Sequence, residues 1–179
     1  MMIDNKLNHN QKPLVSVIMS CFNGSKFLKE AIESVINQNY QNWELIFWDN
    51  LSDDNSFLIA KNYSNLDNRV RCFQSKVHDN ISVARNKAID ASTGEIITFL
   101  DVDDYWHTDK LSKQVDIFEI QNCKMVYSNY TIYNHIKKTK KKAFKHNLPN
   151  GSITQDLINF YCVGSVSYTH LTLPTTTIV

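Results

Sequence analysis

Leu14-Val15-Ser16-Val17-Ile18-Met19, followed at once by Ser20-Cys21-Phe22-Asn23-Gly24, is the stretch on which the fold turns. A nearly continuous apolar and β-branched run of this length is the pattern of a strand covered on both faces in a parallel sheet. The residues after it carry turn chemistry. Beyond them Phe27, Leu28, Ala31, Ile32, Val35 and Ile36 recur at helical spacing, with Lys26, Lys29, Glu30, Glu33 and Asn37 on the other side and Ser25 placed as an N-cap.

The alternation continues downstream. Strands are predicted at 43–48, 70–74 and 95–100, and helices near 55–63 and over 81–91, the latter closed by Gly94. A further helix fits 110–121, with Leu111, Val115 and Phe118 as its buried stripe, and a last strand fits 125–133. Strands and helices alternating at this spacing imply right-handed crossovers. The expected fold is α/β, a doubly wound, mostly parallel sheet with helices on both faces.

Composition agrees with one such domain. The 179 residues are 42% hydrophobic and 21% charged, unlike a disordered tail, a fibre or a membrane bundle. A formal charge of +1 gives no global field to recruit nucleic acid, so function must come from a local site. No apolar run approaches the ~20 residues needed to span a bilayer, and the N-terminus lacks a signal-peptide core, so the expected location is cytoplasmic, including the inner face of the membrane. Cys21, Cys72, Cys123 and Cys162 match neither a metal clip nor a disulfide framework and are read as reduced, mostly buried thiols.

Polar residues 1–13 read as a flexible arm, and 14–165 as the domain proper. Within it, six lysines between His135 and His146 are expected on a solvated loop or hairpin tip. The tail, 166–179, is atypical: from Ser165 onward there is no Asp, Glu, Lys or Arg, and a non-native origin would account for it.

Open α/β sheets bind ligands beyond the C-terminal ends of their strands. Here the first strand ends in Ser20-Cys21-Phe22-Asn23, the second in Asp49-Asn50-Leu51-Ser52-Asp53-Asp54, and the fourth in Asp101-Val102-Asp103-Asp104-Tyr105-Trp106. Crowded carboxylates such as Asp101, Asp103 and Asp104 disfavour joint ionisation unless a cation or donors neutralise them. Mg²⁺ or Mn²⁺, taking one or two protein oxygens and the rest from phosphate and water, is the economical solution. Neither Gly-x-Gly-x-x-Gly nor Gly-Lys-Ser/Thr is present, which removes the main support for dinucleotide and P-loop chemistry. A phosphoacceptor receiver domain needs an acidic pair near the first strand, and none is there.

Five motifs in order now carry a resemblance. Val15-Ser16-Val17-Ile18-Met19-Ser20-Cys21-Phe22-Asn23, Ala31-Ile32-Glu33-Ser34-Val35-Ile36-Asn37-Gln38, Trp48-Asp49-Asn50-Leu51-Ser52-Asp53-Asp54, Ser82-Val83-Ala84-Arg85-Asn86-Lys87-Ala88-Ile89 and Phe99-Leu100-Asp101-Val102-Asp103-Asp104-Tyr105-Trp106 are similar to those of glycosyltransferase family 2, the inverting GT-A enzymes. The resemblance implies a nucleotide-sugar donor site. Phe22 and Asn23 would meet the nucleotide, Asp49 would accept a hydrogen bond from the base, typically uracil, and Arg85 would lie near the nucleotide. Asp101 would face the ribose and sugar, sharing with Asp103, the principal ligand, a divalent metal (Mn²⁺ or Mg²⁺). The acceptor would be a carbohydrate, lipid-linked sugar or protein hydroxyl, with peripheral membrane contact allowed and no nucleic acid partner.

Simpler roles stand beside these: Asn23 as a turn cap, Asp53 and Asp54 as caps of the next helix, Trp48 and Trp106 as packing residues, Asn86 as a helix-surface amide. The family's general base belongs to an acidic motif well downstream. Asp156, the only carboxylate beyond Glu119, reads as a helix-surface residue, so the base is unassigned. Two functions follow: a metal-assisted glycosyltransferase, or a nucleotide-sugar and metal-binding unit lacking the acceptor half. An incomplete acceptor wall would expose apolar surface and lower solubility.

Overall fold

The computed structural model describes residues 12–121, 123–134, 136–153 and 168–171. In chain order its elements are β1 (Val15–Cys21), α1 (Ser25–Ile36), β2 (Trp43–Asp49), α2 (Ser56–Leu66), β3 (Val70–Gln74), α3 (Ile81–Asp90), β4 (Ile96–Phe99), α4 (Lys110–Gln121), β5 (Met125–Tyr127), β6 (Thr131–Asn134), β7 (Thr139–Lys142) and β8 (Tyr168–Leu171). The main sheet has the order β3-β2-β1-β4-β8-β5, and β6 and β7 form a separate two-stranded sheet. β1 pairs in parallel with β2 and β4, and β2 with β3, whereas β8 runs antiparallel to both β4 and β5. The chain winds outward from β1 through β2 to β3, then returns to β4 on the other side of β1. That reversal opens a crevice between the C-terminal ends of β1 and β4.

β1, β2 and β4 are mostly apolar because both of their faces are covered. Val15, Val17 and Met19 join Leu45 and Phe47 under α1, α2 and α4, where Leu28, Ile32, Ala60, Leu111 and Phe118 complete the larger core. Ile18, Ile46, Ile97 and Phe99 face the other way and meet Ala88 of α3. Period-two alternation thus feeds two cores instead of core and solvent. Each fully buried Val, Leu, Ile, Phe or Met among these contributes about 1.5–3 kcal/mol.

β2 carries two buried carboxylates, Glu44 and Asp49. Glu44 of β2 accepts from Ser16 Oγ at 2.7 Å, the Thr93 amide at 2.6 Å, Thr93 Oγ1 at 2.9 Å and Arg71 at 2.7 Å. Burial alone would raise its pKa, but the bonds from Ser16, Thr93 and Arg71 outweigh it and hold the carboxyl below the usual range. Gly94 closes this network: its amide donates to Ser16 Oγ, and a Cβ there would stand 2.5 Å from that oxygen and 2.7 Å from the Leu14 carbonyl oxygen.

Several sequence-based expectations need correction. Ser25 does not cap α1: Gly24 holds the N-cap position without a side-chain bond. The acceptors come from across the sheet, Ser56 Oγ for the Gly24 amide and Asp54 Oδ2 for the Ser25 amide. Gly94 does not terminate α3, whose C-cap is Ala91, while Asn80 caps its start by accepting from the Val83 amide. The single strand expected over 125–133 is two, β5 and β6, because Asn129 leaves the strand to bind both the amide and the carbonyl of Phe144. Of the three described cysteines, Cys21 is buried and Cys72 and Cys123 are half-buried, and all three are free thiols.

The lysine segment forms the exposed β6–β7 hairpin, as expected of a solvated tip. From the atypical tail, 168–171 supplies β8. The body of the expected arm (1–11), Asp156 and Cys162 lie outside the described residues. No helix among the described residues is long and apolar enough to cross a membrane.

Candidate nucleotide-sugar site

The first-strand turn and the loop after β2 are stitched together residue by residue. Asn23 adopts φ 55°, its amide donates to Ser52 Oγ at 2.9 Å and its Oδ1 accepts from the Asp53 amide at 3.0 Å. Asn is among the few side chains that tolerate this backbone region, so the turn role expected of it is filled. Asp54 spans two helix starts, bonding the amides of Ser25 and Ser56. Burial would raise its pKa, yet the hydrogen bonds from Ser56 and Ser25 bring it to about 2. Asp54 therefore acts at the next helix as expected, and at the previous one as well.

Phe22, 51% exposed, projects from the end of β1 with its ring centroid 4.2 Å from that of His78. Together with Ser20, Asn50, Asn80 and Ala84 these residues line a cavity of about 260 Å³. Asn50 is locked: its Nδ2 donates to the Asp79 carbonyl at 2.8 Å and its Oδ1 accepts from the Asp79 amide at 3.0 Å. His78 Nδ1 lies 3.0 Å from the Asn50 carbonyl oxygen and must donate to it. In the neutral ring that leaves Nε2 as an acceptor. The Asp79 carboxylate is held by Lys87 at 2.5 Å.

Asp49, the last residue of β2, is fully buried, at 0% exposure. Its Oδ2 accepts from the Ser52 amide and from Gln74 Nε2, both at 3.0 Å. Its Oδ1 has no hydrogen-bond partner. A buried oxygen left this way costs on the order of 1–3 kcal/mol unless a donor arrives.

The third cluster follows β4. The Asp104 amide donates to the Asp101 carbonyl at 3.1 Å, closing a tight turn with Val102 and Asp103 at its corner. Val102 abuts Gly24, where a Cβ would stand 2.7 Å from Val102 Cγ2 and 2.9 Å from Cys21 Sγ. Only a residue without a side chain lets this turn reach the β1 turn. Asp103 is exposed, and Asp101 is half-buried and ion-paired with Arg85 of α3 at 2.6 Å. Burial, with the charges of Asp103 and Asp101 added, pushes Asp104 up to about 6. Among the described residues no three His, Cys, Asp or Glu side chains are grouped to enclose a metal. A hard cation bound here would need most of its oxygens from a ligand and water. Hard carboxylate oxygens on the β4 turn are the donor type that Mg²⁺ or Mn²⁺ takes, and the charges of Asp101 and Asp103 that add to the rise of Asp104 are ones such a cation would offset.

Trp48 and Trp106 take the packing roles expected of them. Trp48 stacks on Phe73 at 5.6 Å and donates to Ser75, and the buried Trp106 lies under Lys110 Nζ at 4.0 Å. Sequence reasoning missed Asn50 and His78. The available signal was their position: Asn50 directly follows β2 within the second-strand motif, and His78-Asp79-Asn80 runs into the capped start of α3.

Comparison with known proteins agrees with this geometry. The sequence profile of Glycosyl transferase family 2 matches residues 16–170, and the chain belongs to that family. It is 34% identical over 123 residues to the putative teichuronic acid biosynthesis glycosyltransferase TuaG of Bacillus subtilis, covering 69% of this chain and 49% of that protein. The chain thus spans about half the length of that curated relative. Among solved structures, residues 1–349 of S. aureus TarS in complex with UDP superpose with a TM-score of 0.70 at 19% identity, over 86% of this chain and 46% of that one. The mannosyltransferase PcManGT from Pyrobaculum calidifontis, in complex with GDP-Man and Mn²⁺, gives a TM-score of 0.60 at 20% identity, over 70% and 37%. These likenesses show the GT-A fold expected from the sequence.

Proposed function

From family membership and the geometry of the crevice, we propose that this chain is the donor-binding part of an inverting glycosyltransferase of cell-surface polysaccharide biosynthesis. It would take a nucleotide sugar, most simply a UDP-sugar, and pass the sugar to an acceptor hydroxyl. The observation that carries the proposal is the meeting of three strand ends at the β1/β4 reversal, with Val102 seated on Gly24 and Arg85 paired to Asp101. The relation to the teichuronic acid glycosyltransferase TuaG supports the polysaccharide context, and the UDP bound to TarS and the GDP-Man and Mn²⁺ bound to PcManGT support a nucleotide-sugar donor and a metal.

The proposed division of labour follows from burial and charge. Phe22 offers an open aromatic face to a base, and Asn23 shapes the turn beneath the nucleotide. Asp49 Oδ1 and His78 Nε2 are the acceptors on the base side, and uracil presents one ring N–H. Arg85 faces the diphosphate or ribose and, by pairing with Asp101, keeps that carboxylate oriented before ligand arrives. Asp103, exposed at the turn corner, and Asp101 would hold the divalent metal. When bound, that metal would offset charge developing on the departing diphosphate. The acceptor's proton needs a carboxylate away from these acids. No described residue takes that role.

Donor hydrolysis tests the proposal. The chain is incubated with UDP-glucose or UDP-N-acetylglucosamine and Mn²⁺, and released UDP is counted with and without candidate acceptors. Slow metal-dependent UDP release supports a transferase. Donor binding without release supports the alternative, a unit that holds nucleotide sugar and metal but lacks the acceptor half. Absence of both refutes the donor-site assignment.

A further inference from the structure

The hairpin of β6 and β7 is a strongly charged feature among the described residues that the donor site leaves unused. Between Ile120 and Ile153 the sequence holds seven lysines and no Asp or Glu, whereas the stretch from Lys12 to Glu119 holds sixteen acids and eleven Lys and Arg. The near-zero net charge therefore conceals an acidic body and a basic projection. Every residue of β6 and β7 is exposed. No lysine of the hairpin makes an ion pair with a carboxylate among the described residues.

Apolar side chains stand among these charges. The register pairs Ile132 with Lys141 and Tyr133 with Lys140, so each face of the ribbon sets an apolar residue beside a lysine. At the turn Ile136 is 94% exposed, with Lys137 and Lys138 directly after it. The base is held firmly by the two bonds of Asn129 to Phe144, by the Ala143 amide donating to the Tyr130 carbonyl, and by the Tyr130–Phe144 edge-to-face contact.

We propose that this hairpin docks tip-first on a membrane surface rich in anionic phospholipid, with Ile136 entering the headgroup layer and the lysines behind it contacting phosphates. A soluble polyanion would engage the lysines alone and leave a fully exposed isoleucine in water. A bilayer interface takes both, since lysine stems bury along apolar surface while their ammonium groups stay at headgroup level. The inference goes beyond the donor-site proposal and does not depend on it.

Vesicle co-sedimentation of the whole chain tests it, with phosphatidylcholine vesicles compared with vesicles containing about a third phosphatidylglycerol. Binding is expected only to the anionic vesicles at low salt, and should collapse at 1 M NaCl, where the screening length falls to about 3 Å. Replacing Lys137, Lys140, Lys141 and Lys142 together by Gln should lower partitioning at least ~100-fold, at roughly 5-fold per lysine. Ile136→Ser should lower it several-fold without changing the salt dependence. Equal binding to neutral vesicles, or retention of binding by the quadruple variant, overturns the proposal, as does tighter binding to duplex DNA than to anionic vesicles. UDP titration of the quadruple variant separates the two claims, since loss of vesicle binding should leave nucleotide affinity unchanged.

Discussion

Replacing Gly24 by Ala should damage both stability and the acidic turn, through one steric contact. Gly24 has φ −104°, a conformation any residue adopts, so the effect is not backbone strain. A Cβ would lie 2.7 Å from Val102 Cγ2 and 2.9 Å from Cys21 Sγ, against ordinary carbon contacts of about 3.5–4.0 Å. The β4 turn must retreat by roughly 1 Å, and overpacking of this kind costs about 1–3 kcal/mol. At ~2 kcal/mol the Tm falls by about 4–8 °C for a chain of this size. Asp101 and Asp103 ride on the displaced turn, so affinity for UDP with Mn²⁺ should fall too. Val102→Ala removes the nearer clashing carbon, and in the double variant the pair should be at least ~1 kcal/mol more stable than the sum of the single effects. Urea unfolding of the four proteins, with UDP titration of each, measures that coupling. Additive effects, or an unchanged Gly24→Ala protein, would show that the two turns do not bear on each other.

Three further outcomes follow from single contacts. His78→Phe keeps a ring against Phe22 but removes the Nδ1–H bond to the Asn50 carbonyl and the Nε2 lone pair, so UDP affinity should drop about 3- to 10-fold; unchanged UDP affinity in calorimetry would remove His78 from base recognition. Glu44 has its folded pKa below the unfolded value of about 4.3, so its contribution is complete above that pH and disappears as pH falls through the folded value. Glu44→Gln should therefore cost about 1–3 kcal/mol at pH 7 and flatten the acid limb of the stability curve, whereas parallel acid limbs for the two proteins would contradict this. Asp54→Ala removes an acceptor from the starts of both α1 and α2 and should cost about 1–3 kcal/mol by urea unfolding, against well under 0.5 kcal/mol for the neighbouring Asp53→Ala.

The elements with strong local signals were legible in the sequence. The run from Leu14 to Met19 is apolar because both sheet faces are covered, and α1 follows from spacing alone. What escaped depends on partners distant along the chain. The carboxylate that accepts from the Ser25 amide at the start of α1 is Asp54, 29 residues away, a partner that the local spacing around Ser25 does not reveal. The break between β5 and β6 comes from Asn129 clamping Phe144, 15 residues away, within a stretch that looks like continuous strand. At the site, motif spacing located Phe22, Asn23, Asp101 and Asp103 at the strand ends and Arg85 on α3. It could not reveal that Asp49 is wholly buried with one open oxygen, nor that Asn50 is spent on the Asp79 backbone while His78 is oriented toward the cavity. Those facts arise from how the 75–80 segment folds over β2.

Calorimetric titration of the chain with UDP, in the presence and absence of Mn²⁺, tests the donor-site assignment most directly, with Asp103→Asn run in parallel. UDP should bind roughly tenfold or more tightly with Mn²⁺ than without, a difference of about 1.4 kcal/mol, and Asp103→Asn should remove that gain while leaving the metal-free affinity intact. No UDP binding under either condition, or a metal effect that survives Asp103→Asn, would contradict it.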